Sequence, residues 1–151
     1  MSVNIDDVTS ADLVALDLSA TDATGAIEEL AALLESDGRV TDRSRFVEAA
    51  LEREPTGMEM GVAIPHAKSA AVTTAGVAFG RTAAGIDFGA DDGTPSDLVF
   101  LIAAPQEGGD LHVTVLSKLA RRLVHEEFRT TLRQARTPED AIEAIRGEVR
   151  L

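Results

Sequence analysis

Cysteine, tryptophan and tyrosine are all missing from this 151-residue chain. Without cysteine there is no disulfide framework and no thiolate metal site. Aromatic residues make up only 3%, so a core has to be built from Ala, Val, Leu and Ile. Positive charge is scarce as well. Fourteen Lys and Arg stand against 26 Asp and Glu, a net charge of −12. That balance lacks the basic footprint that nucleic-acid binding requires. No apolar run approaches the roughly 20 residues that cross a bilayer. The opening residues Met1 to Asp7 place no basic stretch before an apolar one. No secretory leader is therefore expected, and the protein is expected in the cytoplasm.

Lysine is the scarcest charge. Only Lys68 and Lys118 occur, the other twelve cations being arginine. An acidic, lysine-poor surface fits a salt-rich, halophilic cytoplasm, where ions screen self-repulsion. A GC-rich genome also favours Arg and Ala and is the plain alternative. On the halophilic reading, stability should rise with salt over the molar range. Thermal melts in low and high potassium chloride check this; an equal or lower Tm at high salt contradicts it.

What is present is a patterned 44% of hydrophobic residues, enough for one domain over residues 1–151. Leu13 to Leu18 reads as a first strand. Thr21 or Asp22 can cap a helix with Ile27, Leu30, Ala31 and Leu34 on one face, ended by Gly38. Ser44 can cap the next helix, with Val47, Ala50 and Leu51 inward. A loop over residues 56–61 leads into Val62, Ala63 and Ile64, a short buried strand. Pro65 has no N–H for a sheet ladder, so pairing should stop there. Ala75 to Phe79 and Leu98 to Ile102 are further strands. Asp91 to Pro95 between them is turn chemistry. Asp87, Asp91 and Asp92 lack the spacing of a calcium loop and read as a solvated turn. Helical patterns close the chain around 128–132 and 141–149. Strands interleaved with helices argue for a mixed sheet between helical layers.

Two histidines carry the chemical interest. His66 follows Ile64-Pro65 at an expected strand end, where a neutral imidazole can act as nucleophile or base. The plain alternative is a histidine that merely caps a strand. His112 falls in the first turn of a helix that Asp110 can cap. It shares an inward stripe with Val115, Leu116, Leu119, Ala120 and Leu123. There it is either packed under a loop or placed where free N–H groups favour an anion. His125 is thirteen residues further on, roughly 220° round the helix, and should face solvent. Lys68 either adds charge beside His66 or is simply exposed.

The segment Gly61-Val-Ala-Ile-Pro-His-Ala-Lys68 closely resembles the active-site segment of the fructose/mannitol/nitrogen-type enzyme IIA domain of the bacterial sugar phosphotransferase system. Residues 75–79, 85–88, 97–105 and 111–120 resemble that family in order and spacing, so the resemblance spans most of the chain. It implies a three-layer α/β/α sandwich with a mixed sheet. It implies that His66 accepts a phosphoryl group from the carrier HPr, with His112 holding or orienting that group. Arg53 resembles a family arginine that helps hold the phosphoryl group. The intervening loop here is shorter than usual, which leaves a plain helix-end arginine as the alternative. No cofactor and no metal are implied. The acceptor would be a cysteine of an enzyme IIB of a fructose-type permease, a job this cysteine-free chain cannot do itself. Two other functions stand beside this one. The first is a regulatory phospho-switch of the nitrogen branch, using the same site. The second is a two-histidine metal hydrolase, for which a third-ligand motif such as His-Glu-x-x-His is missing.

Overall fold

A computed structural model describes residues 4–151. The elements in chain order are α1 (Ile5–Val8), β1 (Val14–Ala15), α2 (Ala23–Ser36), α3 (Arg43–Leu51), β2 (Gly57–Met58), β3 (Val62–Ala63) and β4 (His66–Ser69). They continue with β5 (Gly76–Ile86), β6 (Ser96–Pro105), α4 (Leu111–Leu123), α5 (Glu126–Gln134) and α6 (Pro138–Glu148). The sheet runs β1-β5-β6-β3-β2, with β4 also on β6. It is mixed: β5 and β6 pair antiparallel, whereas β3 and β4 both run parallel to β6.

The strand period of two decides the layers. Along β6, Leu98, Phe100 and Ile102 pack toward α4, α5 and α6. Val99, Leu101 and Ala103 pack toward α2 and α3. A strand buried on both faces reads as an unbroken apolar run, which is why residues 98–104 carry no polar side chain. The result is the expected three-layer α/β/α sandwich. Phe79 and Phe100, opposite each other in the β5/β6 register, stack with ring centroids 4.7 Å apart. Such a pair adds about 0.5–1.5 kcal/mol beyond its buried area.

Several local expectations change. The first strand shrinks to Val14–Ala15, because β1 is an edge with β5 as its partner and Leu13 is drawn into a 3-10 turn. Beyond it the chain stays attached to β5 by the Leu18 N–H donating to the Arg81 carbonyl, 2.9 Å, and by Arg81 Nε donating to the Leu16 carbonyl, 3.3 Å. Asp22, not Thr21, caps α2, accepting from the Gly25 N–H. Asp42, not Ser44, caps α3. Asp42 is extended and accepts from the Arg45 N–H, while Ser44 already lies inside the helix. Asp110 holds the N-cap position of α4, yet its side chain makes no capping bond. Thr137 caps α6 by accepting from Asp140 N–H, with Pro138 at the first helical position, where a missing N–H costs nothing.

Pro65 does not end the pairing. The register with β6 runs on from Ala63↔Val99 to His66↔Ile102. Proline removes one donor, but its carbonyl still accepts, here from the Ile102 N–H at 2.9 Å. His66 therefore begins a continued strand rather than ending one.

The segment before β3 is also more ordered than a loop. β2 and β3 form a small antiparallel pair, entered through left-handed Met60 (φ 73°) and Gly61 (φ 79°). Arg133 of α5 clamps this turn. Its Nη2 donates to the Met60 carbonyl at 2.8 Å, and its fork grips Asp97 at 2.7 and 2.9 Å. A Cβ on Gly61 would lie 2.7 Å from Asp97 Oδ1, so glycine serves both the φ and the space there.

Candidate active site

Parity along the chain sets the direction of His66. Val62 and Ile64 belong to the α4–α6 side, Ala63 and Ala67 to the α2–α3 side. An even-numbered His66 therefore faces α4. The ring is half-buried, and its Nδ1 lies 2.9 Å from the Ile64 carbonyl. A carbonyl only accepts, so Nδ1 carries the proton in that contact. In the neutral ring the lone pair then sits on Nε2.

Lys68 follows on the same face. Its Nζ donates to the Gly109 carbonyl at 3.1 Å, in the turn just before α4. That bond ties the strand bearing His66 to the loop that launches the helix bearing His112.

His112 is the second residue of α4 and is half-buried. Its Nδ1 is enclosed without a hydrogen-bond partner. Burial pushes its pKa below the ordinary 6.5, and the Lys68 charge pushes the same way. Asp110 opposes, while His66 and Arg53 add further downward contributions. Lys68, His66 and Arg53 thus each bear on the His112 ring electrostatically, and the Lys68–Gly109 bond joins the His66 strand to the turn before α4. Arg53 itself is exposed just past the end of α3 and forms no ion pair among the described residues.

The depressed pKa has a testable sign. Above pH 6.5 the His112 ring is neutral both folded and unfolded. As pH falls below that value, the unfolded chain takes the proton first, so His112 subtracts stability until its folded-state pKa is passed. In a side-chain NMR titration His112 should therefore have its midpoint below 6.5. A midpoint at or above 6.5 would contradict the enclosure described here.

His125 is exposed and holds the N-cap position of α5 without a side-chain capping bond, at the opposite end of α4 from His112. It takes no part in the cluster. The acidic turn is accounted for by its own backbone. Asp87 accepts from the Gly89 N–H and Asp92 from the Thr94 N–H. Hydrogen bonds from the Thr94 side chain and backbone hold the Asp92 carboxyl below its usual range. Among the described residues, no group of three or more His, Asp or Glu is placed to hold a metal.

Two contacts at the site carry no signal in the sequence. Any residue at 64 or 109 offers a carbonyl, so the bonds from His66 and Lys68 to those carbonyls exist only in the fold.

The architecture is that of the phosphotransferase enzyme IIA class. Similar solved structures are the nitrogen regulatory protein IIA-Ntr from Neisseria meningitidis and a complex of mannitol enzyme IIA with phosphorylated enzyme IIB from Escherichia coli. The first has a TM-score of 0.84 at 30% identity, covering 93% of this chain and 97% of that one. The second has a TM-score of 0.78 at 25% identity, covering 92% and 97%. Among curated proteins, the fructose-specific EIIA component of Haloferax volcanii is 41% identical over 149 residues, 97% of this chain and 96% of that protein. The chain belongs to the family described as the phosphoenolpyruvate-dependent sugar phosphotransferase system, EIIA 2, matched over residues 7–147.

Proposed function

We propose that this protein is a cytoplasmic phosphohistidine carrier, receiving a phosphoryl group from HPr on His66 and passing it to an enzyme IIB cysteine during fructose-type sugar uptake. The observation that carries this is the state of the His66 ring. Its Nδ1–H is engaged by the Ile64 carbonyl, which leaves Nε2 as the nucleophile beside His112. The Nε2 lone pair attacks phosphorus, the N–P bond of the donor breaks, and that electron pair returns to the donor ring. The Ile64 carbonyl then steadies the Nδ1–H of a cationic phosphoimidazole, a good leaving group for the onward step. A cysteine thiolate attacks phosphorus in turn, and the electron pair returns to Nε2.

Phosphoryl transfer needs positioned positive and hydrogen-bonding groups around the phosphoryl oxygens more than covalent help. The assigned roles are an N–H donor from His112 and charge from Lys68 and Arg53. A neutral His112 suits this: it donates without adding a full charge that would hold the phosphate too tightly for onward transfer. Docking has to be transient, because donor and acceptor use the site in turn. Val113, 51% exposed beside His112, supplies an apolar contact for such a surface. The chain contains no cysteine, so the accepting thiol comes from outside these residues.

The regulatory alternative is favoured by one specific observation, the 30% identity to a nitrogen regulatory IIA-Ntr structure. Deleting the gene and measuring growth on fructose, mannitol and glucose separates the two. The transport reading expects impaired growth on fructose. Normal growth on all three sugars with altered nitrogen or potassium control would favour the switch.

A further inference from the structure

In a chain with 26 carboxylates and 14 cations, cations are readily paired. Arg39, Arg43, Arg122, Arg133 and Arg146 each meet a carboxylate. Arg81 and Arg129 donate to main-chain carbonyls. Six cations, Arg45, Arg53, Lys118, Arg121, Arg136 and Arg150, make no such side-chain contact among the described residues, and three of them meet at one place. Lys118, Arg121, Arg122, Glu148 and Arg150 line an open cleft of about 350 Å³ between the later turns of α4 and the end of α6. Its carboxylate, Glu148, is already occupied by Arg122 at 2.6 and 3.1 Å. Lys118, Arg121 and Arg150 form no ion pair among the described residues.

Helix-end electrostatics do not account for the trio. Arg121 lies in the last turn of α4, where a cation suits the dipole. Lys118 is a turn earlier, and Arg150 lies beyond α6. The Leu123 carbonyl at that helix end already receives Arg129 Nη1 at 2.8 Å. Three cations without an ion pair thus line one recess whose single carboxylate, Glu148, is bound to Arg122.

We infer that this cleft binds a small phosphorylated metabolite, separately from the His66 site. Guanidinium forks match phosphate oxygens two at a time, and the lysine adds a point charge. The recess suits a molecule of sugar-phosphate size. A long polyanion would run onto the acidic surface around it, whereas a compact one meets the cations alone. Lys118, the cleft residue nearest His112 along α4, is six residues on, about 9 Å along the axis.

The test is calorimetric and NMR titration of the full chain at low salt. Fructose 1,6-bisphosphate and inorganic pyrophosphate are the probes, and sulfate is the control for indiscriminate anion attraction. Saturable one-to-one binding is expected, with amide shifts centred on residues 118–122 and 150. The double variant Arg121→Gln/Arg150→Gln should lose about tenfold or more in affinity while melting like the wild type. His66→Ala should bind normally, which keeps this result independent of the carrier function. No saturable binding at millimolar probe, sulfate binding as tightly as the bisphosphate, unchanged affinity in the double variant, or shifts centred on His66 would each overturn the assignment.

Discussion

His66→Ala should abolish phosphoryl uptake completely. With phosphoenolpyruvate, enzyme I and HPr, the wild-type protein should gain an acid-labile label on one histidine. The substitution removes the Nε2 lone pair that the contact between Nδ1 and the Ile64 carbonyl leaves free. His112 is no ready substitute, because its Nδ1 is enclosed. Folding should survive, because the ring is half-buried and its bond is to a carbonyl in its own strand segment. A normal melting curve with no label is the expected pair of results. His125→Ala, far from the cluster and exposed, should label like the wild type. A label persisting in His66→Ala would sink the carrier assignment.

The second large effect is expected at His112. Removing one hydrogen bond to a charged group costs about 1.5–3 kcal/mol, which corresponds to roughly ten- to hundredfold in rate. His112→Ala should therefore accept phosphoryl slowly and pass it on more slowly still, with docking affinity for either partner nearly unchanged. The reason for the split is location. In the proposed role the ring meets the phosphoryl group from the first turn of α4, whereas the neighbouring Val113 is exposed surface. His112→Gln, which keeps an N–H donor, should recover part of the rate. Unchanged single-turnover transfer in His112→Ala would assign the ring to packing alone.

Much of this was legible in the residues. The apolar run 98–104 had to lie between two layers because it offers no polar face. The stripe from His112 to Leu123 fixed which side of α4 faces inward, and Val115, Leu119 and Leu123 are buried accordingly. Other features were decided by competition between local signals. Ser44 and Asp42 are both good caps, and the backbone chose Asp42 because it is the extended residue there. Pro65 reads as a strand breaker, yet in a parallel ladder one lost donor does not stop the neighbouring bonds.

By itself, the sequence determined the class of fold, the two chemically distinctive histidines and the family. These rest on periodicity, on scarce residue types and on a contiguous motif, all of which are local properties. Only the tertiary structure decided that the strand carrying His66 and Lys68 meets the turn before His112, because their separations along the chain say nothing about strand order or layer. Nor could the chain alone show that Ile64 and Gly109 offer their carbonyls to His66 and Lys68. Every residue has a carbonyl, and only the path of the folded backbone determines which one a side chain meets. The unpaired cations around the 118–122 and 150 cleft follow the same rule. Their charges are written in the sequence, but their convergence comes from the fold ending α6 beside the later turns of α4, where Arg122 bonds Glu148.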